Sequence, residues 1–325
     1  MVDGHGRRIS YVRLSVTDRC DLRCRYCMAE RMTFAPRPDL LTIDELAKLG
    51  DLLVERGVTR IRLTGGEPLV RPGIVDLVRA LGRRIGAGLE EVTLTTNGTQ
   101  LASLAGPLRD AGVRRINVSL DTLDPDRFRH IARRDALGPV LEGIAAARRA
   151  GLAIKINMVA LRGLNEAEIP AMLRWCAGEG HDLTLIETMP LGTVADDRTD
   201  HYLPLDQVRR RLERDFTLSP SLHRTGGPAR YYQVAELGCR IGFITPLSAN
   251  FCDSCNRIRI AATGTVYGCL GHDQKVELRD LLRGGDEEAA KAALDRLVAG
   301  KPRAHDFRID APAPAVSRHM SVTGG

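Results

Sequence analysis

Cys20, Cys24 and Cys27 stand in a CxxxCxxC loop, Cys20-Asp21-Leu22-Arg23-Cys24-Arg25-Tyr26-Cys27. Three thiolates on so tight a loop can hold three irons of a 4Fe–4S cluster, for which a full protein set would be four. The remaining iron is then open to a ligand, and an open iron means chemistry rather than electron storage. The alternative is a zinc site short of one ligand, or buried structural cysteines, although zinc ribbons prefer C-x2-C pairs and a closed tetrahedron. Near the other end Cys252, Cys255 and Cys269 give CxxC-x13-C. This again offers three ligands and an open site, and a structural zinc completed by Cys239 or His272 fits the spacing equally well. Directly after the CxxC, Arg257 and Arg259 lie at i and i+2 of a strand-like run, so they project to one face and form a fork for phosphate oxygens. Six of the eight cysteines therefore fall in two tight groups. In a reducing compartment that pattern asks for metal or cluster chemistry rather than disulfides.

The elements that must position these residues follow a βα rhythm. Short β-branched runs predict strands over 11–16, 59–64, 91–96, 115–120, 153–159 and 183–187, alternating with amphipathic helices over about 43–55, 74–84, 101–111, 139–150 and 166–179. Thr42 is the expected N-cap of the first helix, with Glu45 as its capping-box partner. Gly57, Gly112 and Gly151 each stand just past a helical pattern, where a left-handed residue is wanted. Six βα units imply a parallel sheet with helices outside it, open or curved into a partial barrel. In either form ligands bind at the carboxyl ends of the strands, which is where the first cysteine loop sits. After about residue 195 the character changes. A helix over about 205–215 is followed by strand-like runs at 230–234, 240–245 and 256–262, then by helices over 276–283 and 287–299. The expected division is 1–195 and 196–325, with a Pro- and Ala-rich tail from Lys301 that reads as extended.

Composition narrows the function classes. With 43% hydrophobic and 27% charged residues the chain reads as an ordinary globular protein. No apolar run approaches the roughly 18 residues of a membrane helix, and the start lacks the apolar core of a secretory signal, so a cytoplasmic protein is expected. The net charge of +6 suits nucleic acid and a small polyanion alike. No block of five basic residues and no RNA-recognition or zinc-finger signature accompanies it, which argues against a nucleic-acid partner. A GxxxxGK motif followed by Ser or Thr is absent too, so a nucleotide would not be held by a P-loop.

The CxxxCxYC loop after a first strand resembles the radical S-adenosylmethionine superfamily. Thr64-Gly65-Gly66-Glu67-Pro68 after the second strand is similar to that superfamily's GGEP segment, and Thr95-Thr96-Asn97-Gly98 and Asn117-Val118-Ser119-Leu120-Asp121 end the next two strands. The stretch from Ile241 to Leu270, GFITPLSANFCDSCNRIRI and then TGTVYGCL, resembles the GTP 3′,8-cyclase family of molybdenum cofactor biosynthesis. So do RLSVTDRC at 13–20, KINMV at 155–159 with RGLN at 162–165, IETMPLG at 186–192, and the terminal Gly324-Gly325. Asp21 and Ala29 depart from the family, where Asn and Pro are common; neither is a ligand position.

This resemblance implies an α/β fold, an incomplete (β/α)6 barrel whose open side is closed by a smaller α+β C-terminal region. It implies that Cys20, Cys24 and Cys27 bind a 4Fe–4S cluster that chelates S-adenosylmethionine, with Tyr26, Gly66, Ser119 and Met189 at positions contacting that cofactor and Glu67 holding its amino group. It places a second 4Fe–4S cluster, whose open iron binds guanine, on Cys252, Cys255 and Cys269. Arg13, Arg62, Thr95, Lys155, Arg257 and Arg259 match GTP-contacting positions, and Arg257, Arg259, Gly324 and Gly325 match catalytic ones, the Gly-Gly tail entering the active site. Cys176 and Cys239 match no ligand position and read as buried thiols. The reaction implied is conversion of GTP to (8S)-3′,8-cyclo-7,8-dihydroguanosine 5′-triphosphate. The partners implied are an electron donor, the cyclic pyranopterin monophosphate synthase that takes the product onward and, by analogy, a second copy in a homodimer. A radical S-adenosylmethionine enzyme for a peptide or another small molecule is the rival reading, and a zinc-binding or nucleic-acid module the more distant one.

Overall fold

The computed structural model describes residues 1–194, 198–311 and 313–324. The expected boundary between 195 and 196, and Gly325, lie outside the described residues. Six parallel strands follow one another in chain order: β1 (Tyr11–Ser15), β2 (Arg60–Thr64), β3 (Glu91–Thr96), β4 (Arg115–Ser119), β5 (Ala153–Val159) and β6 (Asp182–Ile186). The helices α1 (Ile43–Glu55), α2 (Ile74–Gly82), α3 (Leu101–Asp110), α4 (Pro125–Ala132), α5 (Leu137–Arg149) and α6 (Ile169–Gly178) connect them. The C-terminal half supplies α7 (Arg198–His201), α8 (Leu205–Leu212), β7 (Leu218–Pro220), β8 (Arg230–Val234), β9 (Cys239–Ile244), β10 (Arg257–Ile260), β11 (Thr265–Tyr267), β12 (Lys275–Glu277), α9 (Arg279–Arg283), α10 (Glu287–Ala299) and α11 (Met320–Thr323).

The C-terminal strands join both edges of the six-stranded body. β10 pairs parallel with β1, and β9 pairs parallel with β6. Antiparallel β11 and β12 complete one edge and β8 and β7 the other, so β12 and β7 are the ends of a twelve-stranded sheet that does not close on itself. The result is the expected incomplete (β/α)6 barrel.

Strand period explains which residues go where. Leu14, Ile61, Leu63, Leu94, Ile116, Val118, Ile154 and Ile156 alternate onto the buried outer face, where Leu46, Leu49 and Leu53 of α1 and their counterparts on the other helices cover them. The inner face takes the polar set of the opposite parity, from Arg13 to Lys155. The capping box at α1 is formed, with Glu45 N donating to Thr42 Oγ1 at 3.1 Å and Thr42 N donating to Glu45 Oε2 at 2.7 Å. Gly57, Gly112 and Gly151 take φ of +88°, +108° and +75°, values that only glycine adopts without strain.

Three expectations are corrected. The 276–283 stretch splits into β12 and α9, because Val276 pairs with Val266 of β11 and strand pairing outweighs helical propensity there. The 166–179 helix begins as a 3-10 turn over Glu166–Glu168 before α6. The tail is not wholly extended but ends in the single turn of α11. The strand reading also omitted α4, whose signals are an Asp124 side chain accepting from Arg127 N at 2.7 Å and a Pro at the first helical position.

Candidate active site

The carboxyl ends of the strands open into two adjoining cavities. The first, of about 1050 Å³, is lined by Cys20, Cys24 and Cys27 together with Tyr26, Gly66, Glu67, Ser119 and Met189. The cysteine loop reaches it because α4 supports it: Arg23 N and Arg25 N donate to the carbonyls of Ala132 and Ile131. Asp21 fastens the loop from the other side, its carboxylate accepting from Asn97 Nδ2 at 2.7 Å and Thr99 Oγ1 at 2.6 Å. The departure from the family's Asn thus keeps a working contact.

Gly65 and Gly66 are required by the protein itself. Gly66 N donates to Thr17 O at 2.8 Å and Glu67 N to Arg19 O at 2.8 Å. A Cβ on Gly65 would lie 2.6 Å from Thr17 O, and one on Gly66 2.3 Å from Arg19 O. The glycines let the β2 loop lie flat against the backbone that leads into the cysteines.

Glu67 is 1% exposed. It accepts from Leu69 N at 2.9 Å, Thr96 Oγ1 at 2.7 Å and Asn97 N at 2.6 Å, tying the end of β2 to the end of β3. Burial outweighs these donors and pushes its pKa up to about 7. Asp121 accepts from Tyr26 Oη at 2.7 Å and Val159 N at 2.8 Å, and burial raises it to about 6. Glu187 holds Leu205 N at 3.1 Å and Leu247 N at 3.0 Å. Burial, with Glu67 beside Cys20 and Asp121 beside Cys27, raises those two thiols to about 12, and burial with Asp121 raises Cys24 well above its ordinary value. Thiols placed in this way are neutral unless a metal takes the proton's place. Acidic groups in the wall suit a cationic ligand. Thr64 Oγ1, Thr188 Oγ1 and Asn157 Oδ1, all on the cavity wall, are buried without a hydrogen-bond partner, a deficit that a polar ligand would make good. The residues present therefore fit a 4Fe–4S cluster with S-adenosylmethionine.

The second cavity, of about 1070 Å³, carries the opposite charge. Arg13, Arg62, Lys155, Arg257, Arg259 and Lys301 line it, and no described Asp or Glu does. Parallel register builds this set: Arg13 of β1 lies beside Arg259 of β10 on one side and Arg62 of β2 on the other. Further round, Thr95, Asn117 and Lys155 share a row across β3, β4 and β5. Arg62 donates to Tyr11 Oη and, at 3.2 Å, to Thr95 Oγ1; Lys155 Nζ donates to Tyr231 Oη at 3.0 Å. Thr95 itself faces the first cavity rather than the second. Burial and then Arg259 hold Arg13 well below its ordinary value, burial and then Arg62 do the same to Lys155, and burial with Arg257 lowers Arg259 to about 10. Arg13 Nε and Arg257 Nε are buried without partners. Crowded cations with unused donors call for a polyanion.

Cys252, Cys255 and Cys269 line the same cavity. Among the described residues no three His, Cys, Asp or Glu side chains converge on the position of one metal ion. Cys239 opposes Val234 in the β8–β9 pair, and His272 Nε2 lies 2.9 Å from Ala304 O. A cubane binds each thiolate to a separate iron and needs no such convergence. Cys255 stays below its ordinary pKa despite burial, because Arg257 and Lys301 favour its thiolate. Cys176 is buried in α6, as expected, whereas Cys239, also expected to be buried, is only partly so at the start of β9.

The C-terminal tail runs between the cavities, and Met320 lines both. Gly324 O accepts from Arg259 Nη1 at 2.5 Å. Gly324 has φ of +76°, and a Cβ there would fall 1.8 Å from Thr64 Oγ1; no side chain fits. Motif reasoning missed Asp121, Asn157, Glu187, Lys301 and Met320 as members of the site. Asp121 and Glu187 each stand just past a strand end, the one signal that could have found them, whereas Asn157 lies within β5.

Comparison with known proteins agrees with this geometry. Residues 14–176 match the radical SAM superfamily profile and residues 181–307 the profile described as Molybdenum Cofactor Synthesis C. The chain is 61% identical over 327 residues to a GTP 3′,8-cyclase of Erythrobacter litoralis, covering 100% of this chain and 98% of that one. It is 60% identical to a GTP 3′,8-cyclase of Rhizobium meliloti, with 100% and 94% covered. Among solved structures, Streptococcus suis SuiB bound to S-adenosylmethionine superposes with TM-score 0.60 at 15% identity over 86% of this chain and 64% of that one. The structure titled "Native anSMEcpe with bound AdoMet" gives 0.60 at 14% over 89% and 82%. At such identities these two speak for the fold alone. Identity of this order along the whole length, on a barrel of this kind, makes the chain a member of the GTP 3′,8-cyclase family within the radical S-adenosylmethionine superfamily.

Proposed function

We propose that the chain is a lyase that converts GTP to (8S)-3′,8-cyclo-7,8-dihydroguanosine 5′-triphosphate, the first step of molybdenum cofactor biosynthesis. The observation that carries this reading is the pairing of an acidic, thiol-lined cavity with an abutting one that presents six cations and no described carboxylate. In it Cys20, Cys24 and Cys27 hold the first cluster, and Cys252, Cys255 and Cys269 a second. When bound and reduced, the first cluster and S-adenosylmethionine would supply a 5′-deoxyadenosyl radical for abstraction of the ribose 3′ hydrogen; the adduct formed when the sugar carbon adds to guanine C8 would then take one electron from the electron donor and one proton to give the 7,8-dihydro product.

The chain's own residues bind, orient and shield. Glu67 and Asp121 present negative charge to the cationic cofactor, and Tyr26, held by Asp121, fixes the wall beside the cysteine loop. Arg13, Arg62, Lys155, Arg257 and Arg259 take the triphosphate, and in doing so relieve their mutual repulsion. Thr95 holds Arg62 in place. Gly324 keeps Arg259 aimed into the cavity, and Met189 and Met320 stand where the two cavities meet. An electron donor and the synthase that consumes the product complete the proposed partners. The test is an anaerobic turnover with GTP deuterated at ribose C3′. Deuterium recovered in 5′-deoxyadenosine supports the proposal; 5′-deoxyadenosine without label refutes it.

A further inference from the structure

Three cations with buried side chains, Arg7, Arg318 and Lys301, reach the backbone around the second cysteine set, and of these Lys301 lines the cavity. Arg7 Nη1 donates to Cys252 O at 2.7 Å, and its other contacts are Arg303 O at 2.6 Å and Pro302 O at 2.7 Å. Arg318 Nη2 donates to Leu270 O at 2.6 Å and His272 O at 2.7 Å, with Cys269 O at 3.3 Å. Lys301 Nζ donates to the carbonyl of Gly268, the residue before Cys269.

The three differ in how their charge is balanced. Arg7 pairs with Asp3 at 2.6 Å, and Arg318 with Asp273 at 2.5 Å while stacking on Tyr267. Lys301, which is 2% exposed, forms no ion pair with any described carboxylate, and one carbonyl oxygen is its only described side-chain partner. A buried ammonium is costly unless an anion answers it. The anions at hand are the thiolates: Lys301 lines the same cavity as Cys252, Cys255 and Cys269.

We propose that Lys301 is the counter-charge of the second cysteine set, a positioning residue that balances its thiolates and sets how easily a cluster held there accepts an electron. This rests on the second cluster proposed above. Arg7 and Arg318 already have carboxylate partners in Asp3 and Asp273. If Lys301 acted merely as a hydrogen-bond donor to Gly268, its charge would be dispensable. As a counter-charge, its removal makes the site more negative and reduction harder.

The experiment uses the Cys20→Ala/Cys24→Ala/Cys27→Ala chain, in which only the second set can bind a cluster, reconstituted anaerobically, with iron counted and reduction followed by EPR against applied potential. Lys301→Met is expected to keep its iron and to shift the oxidised-to-reduced ratio about ten-fold or more toward oxidised, about 59 mV for a one-electron couple. A shift below about two-fold with full iron overturns the counter-charge. If Lys301→Met holds no iron, Lys301→Arg decides. Iron regained with the charge supports the proposal, and iron lost in both overturns it. No iron with Lys301 intact removes the second cluster itself and the proposal with it, an outcome distinct from a full cluster at unchanged potential.

Discussion

Replacing Gly66 by alanine puts a methyl group 2.3 Å from Arg19 O, 2.6 Å from Arg19 C and 2.7 Å from Asp18 O. All three atoms are backbone, so no side chain can swing aside. Ordinary contact would require the two strands of backbone to part by about 1 Å, roughly twice the tolerance within which a functional constellation must be held. The backbone that moves runs straight into Cys20. Overpacking of this kind costs about 1–3 kcal/mol, or a fall of about 1–5 °C in Tm for a chain of this length. The larger effect is expected on iron. Gly66→Ala should lose about half its iron on anaerobic reconstitution, the half that belongs to the first cysteine set, with S-adenosylmethionine binding lost in consequence. Gly106→Ala in α3, where nothing lies within 4 Å of the added carbon, controls for the substitution and should leave iron and Tm unchanged or Tm slightly higher. Wild-type iron with weakened S-adenosylmethionine binding would refute the reasoning, because it would mean that the glycine serves close approach of the ligand and not the seating of the cysteine loop.

Arg13→Met should raise the Tm of the ligand-free protein, by about 1 kcal/mol or more in stability, since it removes one crowded buried cation, and should weaken GTP binding about ten-fold or more; an unchanged or lower Tm by calorimetry contradicts the crowding. Lys155 is held well below its ordinary 10.5 by burial and then by Arg62 and Arg115, so the folded state disfavours its charge. The stability of the ligand-free protein should therefore rise as pH climbs through the lowered value toward 10.5, while GTP binding, which favours the charged form, should weaken over the same window and take up protons. Calorimetric titration in two buffers of different ionisation enthalpy measures that uptake, and a Lys155→Met protein showing the same uptake would show that another group is responsible. Iron analysis of the reconstituted wild type against a Cys252→Ala/Cys255→Ala/Cys269→Ala protein should fall from about eight to about four per chain; four in both, with zinc in the wild type, would make the second site structural.

Much of the site could be read along the chain because its logic is local. Two cysteine groups declare themselves by spacing, and strand period alone puts Arg257 and Arg259 on one face. The capping box at Thr42 and the left-handed glycines after α1, α3 and α5 are likewise properties of a few adjacent residues, stabilised by hydrogen bonds that close within one turn. Full-length resemblance then carried the family.

What the chain alone could not decide is adjacency across long separations. Arg259 stands beside Arg13 only because β10 adds to the free edge of β1, and edge pairing depends on the summed burial of both halves rather than on any one segment. The same holds for Val276, a residue of helical surroundings drawn into β12 by its partner on β11. The approach of Gly66 to the Arg19 carbonyl is announced by no local pattern. Lys301 is one lysine in an unremarked tail until α10 delivers it, buried and without a carboxylate, beneath the second cysteine set. Residue types and their periods determined what chemistry this protein could hold; tertiary packing decided which charges meet, because burial and register are properties of contacts between segments and are written in none of them singly.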